Sequence, residues 1–548
     1  MAWHVDLGYE TYEAAREQFE WNLPDDYNIV HDLLRKHEDT DATALVRHQP
    51  DGSAETYSFA DLDRLSDRVA RALANRGVTS GDRVGVVLPQ RVENPLTHLA
   101  CWKIGAVSLP LSVLFGPEAL ESRLADSDAV AVVASADVRE AVAEAATACP
   151  DLQTHIEVGG DDSDRVEPFD ALLDAPADFD RCETTAETPA IIMYTSGSTG
   201  PPKGVLHGHG VWVGHLPAFQ MYFELDVEGV FWTPADWAWI GALGDLLFPA
   251  WHYGQPVVGY PIDGFDVAEA YEIMATHDVT NAFLPPTAIR MLMNGDPDAW
   301  NLSLEAICSG GEPLTPEILE WADAELGGVP VNELYGQTEA NLLVANCRQW
   351  FDAQAGSMGK PVPGHEVAPI DPETGEPMPV DEVGHLAVKR EDDPVVFAEY
   401  WNRPEKTAAA TVNTPDDGTW HLTGDLGHRD ADGYLWFKAR DDDVIITSGY
   451  RVGPGEVESA ILEHPAVEQV GVVGVDDELR GEIIKAFVQP VADRRDPVRD
   501  PESLREEIRA VVRENLAKHE YPREIEFVDE LPQTTTGKIK RRELRPDE

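Results

Sequence analysis

Between residues 57 and 135 the chain keeps one rhythm without an internal sequence repeat, a helical stretch followed by a short apolar run. YSFADLDRLSDRVARALAN (57–75) spaces its apolar residues at helical intervals, with Ser58 placed as the N-cap. GDRVGVVLP (81–89) reads as a buried strand, NPLTHLACWKIGAVSLPL as a helix leading into a second strand, and ALESRLADSDAVAVVAS as the same rhythm again. Helix alternating with strand predicts parallel sheets whose faces the helices cover. With 548 residues the chain is too long for one hydrophobic core, so two or more domains are expected. Residues 159–187 are acidic and poorly periodic, which predicts a solvated linker. From 356 to 395 the text turns rich in Pro and Gly with short strands, a β-rich subdomain. HLTGDLGHRDADGYLWFKAR (421–440) reads as a hairpin turning at Asp432-Gly433. After Arg440 a smaller mixed α/β unit begins, which puts a domain boundary near 440.

Charge sets the next constraint. Lys and Arg number 42 against 100 Asp and Glu, a net charge of −58 spread along the whole chain. Such self-repulsion loosens a compact state in dilute buffer. At about 1 M salt the screening length falls to roughly 3 Å and most of that penalty disappears. The balance therefore fits a salt-rich cytoplasm, and it argues against nonspecific binding of nucleic acid or anionic membrane. No apolar run is long enough to span a bilayer, and MAWHVDLGYETYEAAREQFEW has no basic start followed by an apolar block. Five scattered cysteines (Cys101, Cys149, Cys182, Cys308, Cys347) form no CxxC or Cys/His pattern, which suits a reducing compartment. In so acidic a chain each retained lysine stands out.

One of them, Lys203, closes YTSGSTGPPKG (194–204). Glycines allow a tight turn and a close backbone approach, and successive N–H groups in such a turn make an anion-binding concavity. Ser196, Ser198 and Thr199 add hydroxyl donors and Lys203 a point charge, so a phosphate chain is the simplest occupant. The Walker pattern fails here, because Pro202 stands at its second glycine and Gly204 follows the lysine. A plain Gly/Ser turn with an exposed lysine is the competing reading. The apolar run Ala190–Tyr194 tips the balance, since a buried strand entering a glycine loop aims backbone amides at phosphate. HGHG (207–210) lacks partners at metal-ligand spacing and is not read as a metal site.

Four further segments matter together: ICSGGEPLTPE (307–317), NELYGQTEA (332–340), TGDLG (423–427) and LPQTTTGKIKRREL (531–544). Singly, Tyr335 reads as core, Glu339 and Asp425 as solvated surface, and Lys538 as one cation in a basic tail. Their order and spacing, with YTSGSTGPPKG, resemble the AMP-forming acyl-CoA synthetases of the adenylate-forming superfamily over nearly the whole chain, the medium-chain enzymes most of all.

The resemblance implies an α/β fold. A large N-terminal AMP-binding domain (1–440) would have two helix-covered sheets and a β-rich subdomain, followed by a small mobile α+β C-terminal domain (441–548). It implies ATP, Mg²⁺ and coenzyme A as cofactors, and a carboxylic acid as the substrate. Thr195, Ser196, Gly197, Ser198, Thr199, Gly200 and Lys203 would hold the β- and γ-phosphates. Gly310, Gly311 and Glu312 with Glu333, Leu334, Tyr335, Gly336 and Gln337 would frame the adenine. Thr338 would bond the α-phosphate and Glu339 the Mg²⁺. Asp425 would accept from the ribose hydroxyls near Arg440, and Lys538 would reach the carboxylate and α-phosphate. Ser448, Gly449, Tyr450, Arg451 and Arg480 would face coenzyme A after a rotation about Asp442. Two positions depart from the pattern: Ala439 replaces a glycine before the ribose arginine. Glu520 stands where medium-chain relatives carry a lysine, with Lys518 as its replacement.

By the same matching, Trp239, Ile240, Gly241, Gly310 and Gly336 line the acyl pocket, with Trp237 as wall or core. Gly336 stands where acetate-specific relatives carry a tryptophan. Losing that indole opens room for several methylenes, each contributing about 0.8 kcal/mol when buried. The expected acid is thus a medium-chain or branched fatty acid; acetate or propionate, and aryl acids, are the alternatives. A free-standing adenylation enzyme loading a carrier protein is the nearest rival. A non-catalytic nucleotide sensor, or an ATPase of another kind, is a rival from a different class.

Overall fold

The structure, a computed structural model, describes residues 4–160, 166–195, 202–261, 264–312, 314–391, 393–414, 418–447, 450–477, 480–491, 501–516, 520–533 and 539–545. Of 450, 451, 514 and 515 only the backbone is described. The chain divides into two compact units, Met1–Val367 with Val388–His421, and Ala368–Ala387 with Leu422–Glu548.

The helix–strand rhythm does what its pattern demands. Phe59–Asn75 is an α-helix capped by Ser58, whose hydroxyl accepts from the Asp61 amide at 3.0 Å while the Asp61 carboxylate accepts from the Ser58 amide. This reciprocal pair satisfies two donors that a helix start otherwise leaves open. The strands Arg83–Val87, Val107–Pro110 and Ala131–Ser135 lie side by side in parallel. The helix Glu93–Ile104 between the first two is buried on every face from Asn94 onward, sealed against the sheet.

These strands form an eight-stranded sheet in the larger unit, and a nine-stranded sheet stands with it. Both are parallel at the centre; the nine-stranded sheet finishes in antiparallel pairs at both edges, the eight-stranded one only at its Glu399–Tyr400 edge. The core is unusually rich in indoles: Trp102, Trp212, Trp232, Trp237 and Trp251 are fully buried. In the smaller unit a sheet built on the long hairpin Val467–Asp477/Gly481–Pro490 is packed by the helices Pro454–Leu462 and Pro501–Asn515. The α/β architecture with two large sheets and an α+β C-terminal part is as expected. Among the described residues no helix is long and apolar enough to cross a membrane.

Two local expectations need correction. The acidic 159–187 segment is no free linker: Glu167–Pro168 pairs in parallel at a sheet edge, and Phe169 and Leu172 are buried in the main core. Two well-placed apolar side chains suffice to dock a segment whose average character is solvated. The Asp432-Gly433 hairpin is wider than a two-residue turn, since Arg429 pairs with Leu435 across a five-residue connection. Asp430 shapes it, its carboxylate accepting from the amides of Asp432 and Tyr434 and from the Trp436 indole at 2.9–3.0 Å.

Candidate active site

The apolar run before the glycine loop is the strand Pro189–Thr195, buried from Ala190 to Tyr194 and paired antiparallel to Lys203–Gly208. Thr195 lies directly across from Lys203, so both stems of the loop are fixed at one sheet end. Ser196, Gly197, Ser198, Thr199 and Gly200 lie outside the described residues. Lys203 Nζ is 4.0 Å from Glu339 Oε1 and sits 4.4 Å from the centre of the Tyr400 ring. The Tyr400 hydroxyl donates to that same Glu339 oxygen at 2.7 Å. Glu339 and Tyr400 are buried, whereas Lys203 and Thr338 are partly exposed. The sheet therefore brings an ammonium, a carboxylate and a phenol together at the Lys203 stem of the loop.

Two backbone devices hold Thr338 and Glu339 there. His207 Nε2 lies 2.6 Å from the Thr338 carbonyl. A carbonyl only accepts, so Nε2 carries the proton. Burial lowers the pKa of this imidazole to about 4, so it works as a neutral donor. The Phe397 amide donates to the Glu339 carbonyl at 2.9 Å, and the following Glu399–Tyr400 strand pairs with Val205 and Leu206, which delivers Tyr400. The other histidine of HGHG, His209, accepts from the Ile29 amide. Both histidines thus serve the backbone. Tyr400 and His207 escaped the sequence reading of the site because a lone tyrosine in AEYW and a single histidine in a short strand carry no local pattern.

The two segments expected to frame the adenine meet at the carboxyl ends of neighbouring parallel strands, where ligands of open α/β sheets bind. Ala306–Gly310 pairs with Val331–Gln337, and Gly310 lies across from Leu334. Gly311 follows it, and Glu312 pairs with Arg290 at 3.1 Å. Tyr335, Gly336 and Gln337 are partly exposed, Leu334 buried. Glu333 is buried, and its Oε2 accepts from the Leu314 amide at 3.1 Å. Desolvation pushes its carboxyl up to about 8, opposed by that single hydrogen bond.

Gly310 and Gly336 are glycine for a reason the sequence did not reveal. A Cβ on Gly336 would sit 2.0 Å from the Asn341 carbonyl oxygen, at a bulge in the antiparallel pairing with Asn341–Ala345. A Cβ on Gly310 would meet Leu334 at 2.4 Å. Strand packing alone excludes side chains at both. Gly241 differs, because its Cβ would find the Phe283 ring at 3.2 Å and Asp245 Oδ2 at 3.4 Å, a tight but passable contact. Trp239, Ile240 and Gly241, at the start of the helix Ile240–Ala242, are partly exposed, and Trp239 meets Phe115 edge to face at 5.9 Å. Trp237 is core.

In the smaller unit Asp425 lies directly across a hairpin from Arg440. Arg440 Nε is 3.5 Å from Asp425 Oδ1 and 3.4 Å from Asp442 Oδ1. The Thr423 hydroxyl accepts from the Asp425 amide and donates to the Leu386 carbonyl, fixing the TGD turn. Asp442 also offers its carbonyl to Arg545 at 3.2 Å. Arg480 is turned back on Asp477, 3.5 Å away. The backbone of Tyr450 and Arg451 forms a strand paired with Ile445–Thr447. Ser448, Gly449, Lys538 and Lys518 lie outside the described residues.

Residues 34–401 match the family model described as AMP-binding enzyme, and 456–538 the one described as AMP-binding enzyme C-terminal domain. Acyl-coenzyme A synthetase ACSM4, mitochondrial, of Homo sapiens is 35% identical over 539 residues, 96% of this chain and 91% of that protein. Acetyl-coenzyme A synthetase of Bacillus subtilis is 34% identical over 561 residues, 98% of this chain and 95% of that protein. The crystal structure of the anthranilate CoA ligase AuaEII in complex with anthranoyl-AMP superposes with a TM-score of 0.84 at 28% identity, covering 95% of this chain and 97% of that one.

Proposed function

Since the chain belongs to the AMP-binding enzyme family and is an AMP-forming acid–CoA ligase, we propose that it activates a medium-chain or branched fatty acid through an acyl-adenylate. Aryl acids are the first alternative, supported by the likeness to an anthranilate CoA ligase, and acetate the second, supported by the likeness to an acetyl-coenzyme A synthetase. The observation that carries the nucleotide assignment is the Lys203–Glu339–Tyr400 cluster beside the glycine loop. A cation for phosphate oxygens stands next to a carboxylate for a divalent cation.

Mg²⁺ fits this donor set, being a hard ion that binds through one or two carboxylates together with substrate phosphates. Bound there, it would neutralise charge on the phosphate oxygens. Glu339 would hold it, with its second role, the Tyr400 bond, fixing the carboxylate's direction. Forming the adenylate drives a carboxylate onto a phosphate, anion against anion. Lys203, Thr195, the loop amides and Thr338 would meet the charge that spreads over phosphoryl oxygens, and Lys538 would neutralise the attacking carboxylate. In the second half-reaction the thiolate of coenzyme A attacks the adenylate carbonyl and AMP leaves. We assign Asp442 as the hinge between the half-reactions, with residues 441–548 as the turning domain and Ser448, Gly449, Tyr450, Arg451 and Arg480 on the coenzyme side. Asp425 and Arg440 take the ribose. Trp239, Ile240 and Gly241 line the acyl chamber, with Gly310 and Gly336 at its sheet side.

The test is an acid panel with ATP, Mg²⁺ and coenzyme A in concentrated salt, following AMP and thioester together. Hexanoate is expected to outrun acetate. ADP in place of AMP would overturn the adenylate route, and transfer only to a carrier protein would favour the rival reading. Lys538→Ala is expected to lose adenylate formation while still converting supplied acyl-adenylate to thioester.

We further propose that the protein works in a salt-rich cytoplasm, on the strength of its charge of −58. Circular dichroism melts should show a midpoint that climbs steeply with KCl toward molar concentrations, where screening is nearly complete. Full folding in millimolar salt would remove that proposal and leave the enzymology untouched.

A further inference from the structure

The helix that starts at Ile240–Ala242 widens into a π-helical turn over Leu243–Leu247 and resumes at Phe248–His252. Such turns are rare and often sit at functional sites. At the centre of this one is Asp245, with 6% of its side chain exposed and Oδ1 3.1 Å from His215 Nδ1. His215 is wholly buried, and its Nε2 has no hydrogen-bond partner among the described residues. Burying an acid and an imidazole is costly, and apolar residues of similar size would hold the helix as well or better. The turn itself is tied elsewhere, by the Tyr222 hydroxyl donating to the Asp245 carbonyl at 2.8 Å. Neither half-reaction derived above uses the pair.

The other carboxylate oxygen faces Gly241. Asp245 Oδ2 lies 3.4 Å from the point a Cβ on Gly241 would occupy, beside the Phe283 ring edge. Gly241 is the one glycine of the proposed acyl chamber whose side chain the sheet does not exclude. A methyl there would come into van der Waals contact with Oδ2.

We propose that Asp245, oriented by His215, selects the acid by accepting a hydrogen bond from the far end of its tail. The substrate is then a medium-length or aryl acid carrying a distal hydroxyl or amine. A bare hydrocarbon tail reaching Gly241 would strip water from Oδ2 and return nothing, and sites built to bond a polar group reject analogues lacking it far more strongly than apolar pockets reject a missing methylene. This deepens the acid–CoA ligase reading and rests on its placement of the chamber at Gly241.

The experiment compares kcat/KM of the full-length enzyme in concentrated salt for 6-hydroxyhexanoate against hexanoate, and for 4-hydroxy- and 4-aminobenzoate against benzoate. At least one donor-bearing acid should be favoured by about 10-fold or more. Gly241→Ala, which places a methyl over Oδ2, should pull that ratio toward one, as should Asp245→Leu if it folds. Ratios at or below one in the native enzyme, or a ratio that Gly241→Ala leaves unchanged, overturn the proposal while AMP and thioester formation from any acid keeps the ligase reading. If no acid yields AMP with thioester, the ligase reading falls and this proposal with it.

Discussion

Two regions that handle charge are built in opposite ways. Around Lys203 the partners are buried and held in place: Glu339 and Tyr400 are 6% and 5% exposed, and the Thr338–Glu339 backbone is bonded from two sides by His207 and Phe397. Around Arg440 the guanidinium is 46% exposed and divides itself between Asp425 and Asp442 at 3.4–3.5 Å. A charge fixed among desolvated neighbours acts in a low effective dielectric and needs no rearrangement when the reaction reaches it. A half-exposed arginine between two carboxylates is screened by salt and can change partner at little cost. The first arrangement is preorganised, and the second is exchangeable.

The sharpest way to break that contrast is to remove each cation in turn. Lys203→Ala should cost about 10²–10³-fold in adenylate formation, read as pyrophosphate release, with little change in melting temperature. Arg440→Ala should cost only a few-fold, mostly in KM for ATP, because concentrated salt has already screened its pairs. Equal losses would mean that burial is not what separates the regions.

Gly336 tests the same region through the backbone. Gly336→Trp puts a Cβ 2.0 Å from the Asn341 oxygen, so the strand pairing must shift before any pocket is filled. Overpacking of this kind costs about 3 kcal/mol, and the melting temperature in concentrated salt should fall by several degrees. A variant that melts like the native protein and turns toward acetate would restore the view that Gly336 exists to open the pocket.

Tyr400→Phe asks how much the buried cluster depends on its orientation. Losing the phenol leaves a desolvated Glu339 oxygen short of a donor, an imbalance worth about 1–2 kcal/mol. The expected loss is about 10-fold in kcat with a raised Mg²⁺ requirement and an intact fold. An unchanged Mg²⁺ titration would count against Glu339 as the metal residue.

What the sequence disclosed follows the same divide between local pattern and distant contact. The helix capped by Ser58, the buried 190–194 strand and the Asp425–Arg440 hairpin are local, and periodicity with turn chemistry finds them. Glu339 was legible only through its neighbours in YGQTE; taken alone, a glutamate reads as solvated surface, yet the structure buries it. Tyr400 lies 61 residues from the carboxylate it orients. No window of sequence joins the two, since only sheet pairing with Lys203–Gly208 brings them together. Phe169 and Leu172 were hidden by acidic company, and the demand on Gly336 belongs to a partner strand rather than to its own.

Glu333 supplies the finest test, because it is a buried carboxylate that pairs with no cation among the described residues. Its pKa is raised by burial from 4.5 to about 8, so the folded protein holds a proton that the unfolded chain releases near 4.5. The stability this site contributes is full below about pH 4.5 and drains away as pH climbs through about 8. The slope between those limits is at most about 1.4 kcal/mol per pH unit for one proton. Glu333→Gln keeps an acceptor for the Leu314 amide and cannot ionise. Paired melts from pH 5 to 9 in the same salt should show the native protein losing ground to the variant as pH rises, with the gap level above about pH 8. Cation-paired groups move the other way: the carboxyl of Asp32, bonded to Lys36 and His252, is held far below its ordinary value. A flat difference curve would mean that Glu333 is ionised in the folded state and that its burial is relieved, so the Gly310–Leu334 strand ends would share the solvated, exchangeable character of the Arg440 region.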